Sequence, residues 1–232
     1  MKMMSKKYIL TLAFVVCMAL GAAAQPVMVE RQGRAEHIKS YYAPDKGFTI
    51  DFTMGYAMAL NGISDYASQT PSPSFELGLG YSFSKKWKAF FMYQSAAMME
   101  DTGYDRIIIS QYEAVSGEKV HDVSINNLLV GGEFCVKDFS QYLKPYVGLA
   151  VGMGSVKLST EISDQYEFQG KKWMPIVAPE VGLRGFFDKG QTVGYNVAVT
   201  YSQYFGEVET VDATLSSPSF LRIGAGIYVK FM

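Results

Sequence analysis

The chain has 232 residues, 49% of them apolar and 19% charged, with a formal net charge of −1. That length suits about one domain, and the lack of positive excess excludes the electrostatic footprint of a nucleic-acid binder. Cys17 and Cys135 are the two cysteines; they provide no disulfide framework, so packing and hydrogen bonding must carry stability.

The first residues read as an export signal. Lys2, Lys6 and Lys7 precede an apolar run from Tyr8 to Leu20, and Ala22-Ala23-Ala24 then precedes Gln25. A basic start, an apolar middle and an A-x-A site make a signal peptide over 1–24, cut after Ala24. The apolar run is short of the roughly 20 residues that a spanning helix needs. Cys17 follows Val15 and Val16 where lipid attachment wants small residues, so lipidation is not expected. Cleavage removes three lysines and no acids, which takes the net charge from −1 to −4. No later run reaches 18 apolar residues, so no transmembrane helix is expected. Residues 25–46 are polar and irregular, with Pro26, Gly33 and Pro44, and read as a periplasmic lead-in.

From residue 47 to 232 the dominant period is two, the period of a β-strand. Phe48, Ile50, Phe52, Met54, Tyr56 and Met58 alternate with Thr49, Asp51, Thr53, Gly55 and Ala57. A second strand sets Phe75, Leu77, Leu79, Tyr81 and Phe83 against Glu76, Gly78, Gly80 and Ser82. A third, less clean, puts Trp87, Ala89, Phe91 and Tyr93 on one face and Lys88 and Gln94 on the other. The fourth has Leu128, Val130, Phe134 and Val136 against Asn127, Gly131 and Glu133; the fifth has Val147, Leu149, Val151 and Met153 against Tyr146, Gly148, Ala150 and Gly152. The sixth has Val177, Val181 and Leu183 against Glu180, Gly182 and Arg184; the seventh has Val193, Tyr195, Val197, Val199 and Tyr201 against Gly194, Asn196, Ala198 and Thr200. The closing strand alternates without a break, Leu221, Ile223, Ala225, Ile227, Val229 and Phe231 against Arg222, Gly224, Gly226, Tyr228 and Lys230. Pro179 removes a ladder bond wherever it falls and is expected at a bulge.

Connections alternate in length. Ser84-Lys85-Lys86, Lys137–Tyr142 and Asp188-Lys189-Gly190 are tight, while Asn61–Ser74, Glu100–Asp122, Ser155–Trp173 and Gly206–Pro218 are long. Short periplasmic turns and longer outside loops mark outer-membrane barrels. Tyr104–Val115 is too polar in its middle to span and reads as a hairpin above the membrane. The strands are long enough for the roughly 9–11 tilted residues of a bilayer crossing. Aromatics at their ends (Phe48, Phe83, Trp87, Phe134, Tyr142, Phe186, Phe187 and Phe231) resemble an interfacial girdle. A bilayer forbids open sheet edges. The expected fold is therefore all-β, an eight-stranded antiparallel up-and-down transmembrane β-barrel with its apolar face in lipid; the rival is a soluble barrel with the faces reversed.

These strands, the signal peptide and the loop asymmetry resemble the small outer-membrane β-barrels: the OmpA transmembrane domain, OmpX, OmpW and the outer-membrane β-barrel domain proteins common in the Bacteroidota. The resemblance is one of pattern over roughly Lys46 to Met232. It implies outer-membrane lipid as the surroundings and assembly by the barrel machinery through the C-terminal strand, although Phe231 is followed by Met232 where many such proteins end on the aromatic. A monomer is expected.

The inward face collects Asp51, Glu76, Glu133 and Glu180 with Lys88, Arg184, Arg222 and Lys230. Buried charges must be paired, and eight strands leave room only for side chains, so a salt-bridged plug is preferred to a pore. Glu76 is expected to pair with Arg222 near the outside end and Glu133 with Arg184 near the periplasmic end. Catalysis finds little support. A hydrolase needs a base beside its nucleophile; His37 and His121 are the two histidines, and His121 and Ser124 face opposite ways on a strand. His121 is expected in solvent at a loop base. No metal cluster or cofactor cradle is present. Tyr66, Tyr104, Tyr112, Tyr166 and Trp173 are candidate surface contacts for an unidentified extracellular ligand. The expected role is non-enzymatic, structural or through the loops. The alternatives are a narrow solute channel of the OmpW kind, a secretion-apparatus barrel of the PorT kind and a lipid-modifying enzyme. Gly226→Ser is expected to be tolerated in the lumen better than Ile227→Ser in lipid.

Overall fold

The computed structural model describes residues 46–67, 71–110, 113–137, 140, 142–163, 166–188, 190–210 and 213–231. The expected signal peptide, the lead-in up to residue 45 with His37, and Tyr112 lie outside these residues. Among the described residues ten strands form: β1 Gly47–Ala59, β2 Ser72–Ser82, β3 Trp87–Ser110, β4 Glu113–Cys135, β5 Lys144–Ile162, β6 Tyr166–Phe186, β7 Val193–Tyr204, β8 Glu207–Glu209, β9 Thr214–Ser216 and β10 Ser219–Phe231. Eight of them close a barrel in the order β1-β10-β7-β6-β5-β4-β3-β2, while β8 and β9 form a separate two-stranded ribbon. Closure pairs β1 with β10 over their full length, from Phe48↔Phe231 to Ala59↔Phe220. No edge is then left at membrane depth.

The register winds. Starting at Ala57 and stepping through directly opposed partners gives Arg222, Thr200, Glu180, Gly148, Glu133, Lys88, Ser82 and then Gly47. One circuit thus returns to β1 ten residues lower (57 to 47). Such a stagger tilts the strands by roughly 35–45°. It also strings four of the expected lumen charges along one winding row of inward positions.

Barrel height is uneven. β1, β2, β7 and β10 run 11–13 residues, whereas β3, β4, β5 and β6 run 24, 23, 19 and 21. At about 3.4 Å per residue, β3 is roughly 80 Å long against about 44 Å for β1. Two stretches expected as loops, Glu100–Asp122 and Ser155–Trp173, are therefore mostly ladder: β3 and β4 stay paired to Ser110↔Glu113, and β5 and β6 to Ile162↔Tyr166. The hairpin expected above the membrane is the upper end of β3 and β4, with register shifts between Asp101 and Gly103 and between Ile108 and Ser110. Pro179 sits at no bulge. It pairs opposite Leu149 in unbroken register, and the ladder to β7 skips Ala178 and Pro179 but resumes in the same register. The strand tolerates a missing donor without inserting a residue.

The faces follow the expected alternation through the lower barrel. Leu79, Phe91, Val130, Leu149, Val181 and Ile223 are exposed outward, and Thr49, Glu76, Gln94, Asn127, Asn196 and Arg222 are buried inward. Higher up, the inward parity is unchanged but its chemistry reverses. Met98, Val123, Ile125, Val156, Leu158 and Met174 are buried inward, while Asp122, Ser124 and Asn126 turn out. The barrel is inside-out where apolar side chains face out and conventionally packed above.

Candidate functional site

The inward charges form two clusters. In the lower one, Lys88 Nζ lies 2.5 Å from Asp51 Oδ2 and 3.0 Å from Glu133 Oε1, and Arg184 Nη1 lies 2.8 Å from Glu133 Oε2. Arg184 Nη2 is 3.9 Å from Asp51 Oδ1. Two acids and two bases from β1, β3, β4 and β6 thus close a ring across the lumen. Its cations also rest on aromatic faces: the Arg184 guanidinium is 4.1 Å from the Tyr228 ring centroid and 4.7 Å from that of Tyr146. Such contacts suit cations withdrawn from water.

The upper cluster is built on Arg222, the largest fully buried side chain described. Arg222 Nη1 donates to Glu76 Oε2 at 3.0 Å, and Nη2 donates to Thr53 Oγ1 and, at 3.3 Å, to the Thr53 carbonyl. A relay of neutral groups joins from above: Tyr204 Oη donates to Asn127 Oδ1 at 2.7 Å, Asn127 Nδ2 to Gln94 Oε1 at 2.9 Å, and Gln94 Nε2 to Glu76 Oε2 at 3.4 Å. Tyr204 (β7), Asn127 (β4), Gln94 (β3), Glu76 (β2) and Arg222 (β10) draw five strands into one network.

Glu180 differs from the expectation that each acid finds a cation. No described base lies within ion-pair distance; instead Tyr146 Oη donates to Oε1 at 2.7 Å and Thr200 Oγ1 to Oε2 at 3.0 Å. Lys230 is buried at the periplasmic end of β10, opposite Thr49. Between the clusters a cavity of about 10 Å³ is lined by Asp51, Glu76, Glu133, Glu180 and Asn196 among others. That is about the room one water needs.

Above the charges the lumen is filled mainly by apolar side chains. Ile63, Tyr66, Ala67, Met98, Val123, Ile125, Val156, Leu158, Met174, Ile176, Tyr204 and Phe220 belong to one buried apolar cluster. The segment between β1 and β2 folds into this mouth through a single 3-10 turn, Ile63–Asp65, entered at Gly62 with φ 78°. That backbone conformation is open to glycine and costly for most residues. Tyr66 then stacks on His121, centroids 4.0 Å apart and rings 9° from parallel, and its hydroxyl lies 2.6 Å from Thr160 Oγ1. The ribbon β8–β9 adds Val208 and Leu215 to the same core.

Several expectations change here. His121 is buried against the plug, not solvated, and its Nδ1 lies 2.5 Å from the Tyr66 carbonyl. Tyr66 is core, not surface; Tyr104 (77% exposed) and Tyr166 are surface; Trp173 is on the outer face of β6. Phe186, expected in the girdle, turns inward and meets Tyr228 edge-on at 5.4 Å. The apolar plug was missed because its residues sit in stretches where both strand faces look alike, as in Phe90-Phe91-Met92; the signal available was the outward polar run Asp122, Ser124 and Asn126 on β4.

No protein-family model and no curated protein matches the sequence. Solved structures do. Neisserial surface protein A superposes with a TM-score of 0.55 at 14% identity, over 80% of this chain and 97% of that one. The outer membrane protein OprG from Pseudomonas aeruginosa gives 0.47 at 15% identity over 80% and 96%. Ail of Yersinia pestis gives 0.45 at 14% over 79% and 97%. The chain thus shares its fold, a closed eight-stranded antiparallel β-barrel, with Neisserial surface protein A.

Proposed function

We propose that the chain is an integral, non-enzymatic outer-membrane protein that holds a rigid β-platform outside the cell for surface contacts. The observation that carries this reading is the upper half of β3–β6, which has an apolar core of its own and a mostly polar exterior. Such a platform is ordered without lipid around it, so its shape is preserved for a partner. Tyr104 and Ile108 stand on its outer end, 77% and 70% exposed, the kind of side chain that anchors protein contacts. Export by residues 1–24, assembly through β10 and a monomeric state belong to the same proposal.

The filled lumen supports a closed barrel over a channel, so planar bilayers holding the protein are expected to stay silent; steady conductance favours the narrow-channel alternative. His121, held by Tyr66 and facing away from Ser124, supports the non-enzymatic reading. An altered lipid A mass in cells that express the protein favours the lipid-modifying alternative. The direct test replaces 103–118 with a tight turn and compares cell-to-surface adhesion with wild type. Reduced adhesion with the barrel still folded supports the platform reading, and equal adhesion sinks it.

A further inference from the structure

Outward rows on β5 and β6 change character in order going up. Val151 opposite Val177 and Met153 opposite Pro175 are apolar; Ser155 opposite Trp173 follows; Lys157 opposite Lys171 comes next; Glu161 opposite Glu167 lies two rows above that. Side chains directly opposed in antiparallel strands have their Cβ atoms about 4.5–5.5 Å apart, and like charges there repel. Lys157 has Glu167 Oε1 at 4.0 Å, a half-exposed pair of small worth. No described acid pairs with Lys171. Glu167 itself accepts from Ser159 Oγ at 2.7 Å and from Gln169 Nε2; these hydrogen bonds hold its carboxyl below its ordinary pKa.

We infer that Lys157 and Lys171 grip the phosphate of an outer-leaflet lipid headgroup, with Trp173 marking the interface just below. This rests on the membrane reading above. Three features converge. A phosphate between the two ammonium groups relieves their repulsion. The pair lies two residues beyond Trp173, about 7 Å along the strand, where headgroups begin and where long basic side chains reach toward them. The acidic row above screens the pair from anions in solution, so the open approach is from the lipid side. That asymmetry distinguishes a lipid phosphate from a free one.

The test uses the full mature chain folded into vesicles in a Trp87→Phe background, leaving Trp173 as the fluorophore. Quenching of Trp173 by brominated phosphatidic acid is compared with quenching by brominated phosphatidylcholine. Wild type is expected to prefer phosphatidic acid, whose phosphate is not neutralised by a choline, by about fivefold, the order expected of basic residues at an anionic membrane surface. Lys157→Ala with Lys171→Ala should bring the ratio to about one, Lys→Arg at both positions should keep it, and Glu167→Gln should raise it. A ratio near one in wild type, or a ratio unchanged in the double alanine variant, overturns the inference. Loss of the preference on adding millimolar inorganic phosphate at constant ionic strength overturns the lipid as its source. Absence of quenching by either lipid refutes the membrane reading instead.

Discussion

Arg222 is the most informative single perturbation. Its guanidinium is wholly buried and bonded to Glu76, Thr53 Oγ1 and the Thr53 carbonyl. Arg222→Met keeps an unbranched chain about as long as the arginine's aliphatic stem and removes all three contacts. Glu76 then keeps only neutral partners, Gln94 Nε2 and Thr53 Oγ1, both at 3.4 Å. Stripping one member of a buried pair costs roughly 3–5 kcal/mol because the other charge is stranded. Glu76→Gln leaves an amide oxygen to accept from Arg222 and should cost about 1–3 kcal/mol. The double variant strands neither charge, so its cost should fall short of the summed singles by about 2 kcal/mol. The assay is reversible urea unfolding in lipid vesicles, followed by tryptophan fluorescence. Additivity to within about 0.5 kcal/mol, or a cost below about 1 kcal/mol for Arg222→Met, refutes the paired-lumen argument.

Further expectations follow from the packing. A Cβ on Gly226 would lie 1.9 Å from the Phe52 carbonyl oxygen and 2.5 Å from Thr53 Cα, both backbone atoms. The expectation that Gly226→Ser is tolerated is thereby reversed: it should destabilise more than Ile227→Ser in the same vesicle unfolding experiment. Ile227→Lys places a charge in lipid near the periplasmic rim and should cost about 1–2 kcal/mol, below the roughly 2–4 kcal/mol of the bilayer midplane. Leu158→Ala should cost about 2–5 kcal/mol and should speed proteolysis of the extracellular strands while the membrane part stays protected. Tyr66→Phe loses the contact to Thr160 Oγ1, about 0.5–1.5 kcal/mol, and should raise amide exchange over Ile63–Ala67 with little change in β1.

The lower barrel was legible because lipid and a crowded lumen impose opposite demands on adjacent residues. β10 shows this without interruption, from Leu221 out and Arg222 in down to Phe231. The ion pairs were legible as a set, since buried charge of one sign must meet the other, and Glu76 with Arg222 fits that rule. Glu180 was not, because hydroxyl donors on Tyr146 and Thr200 can stand in for a cation and carry no charge to count. Strand length in β3–β6 was hidden for a different reason. Above the membrane the outer solvent becomes water and the strand keeps its parity, so His121, Val123 and Ile125 stay inward while Asp122 and Ser124 turn out. A pattern whose polarity flips without a change of phase reads as a loop. The close approach of Phe52 to Gly226 depends on strand coiling in a small barrel, which no local pattern records.

One continuous strand passes from lipid to water while its inner face passes from charge to hydrocarbon. Spin labels along β5, in a Cys135→Ser background, test it most directly. Leu149 and Val151 should be relaxed by oxygen and shielded from a water-soluble nickel reagent, Glu161 should show the reverse, and Leu158 should be shielded from both. Nickel access at Leu149 and Val151 equal to that at Glu161 would mean that β5 does not pass through lipid at that level.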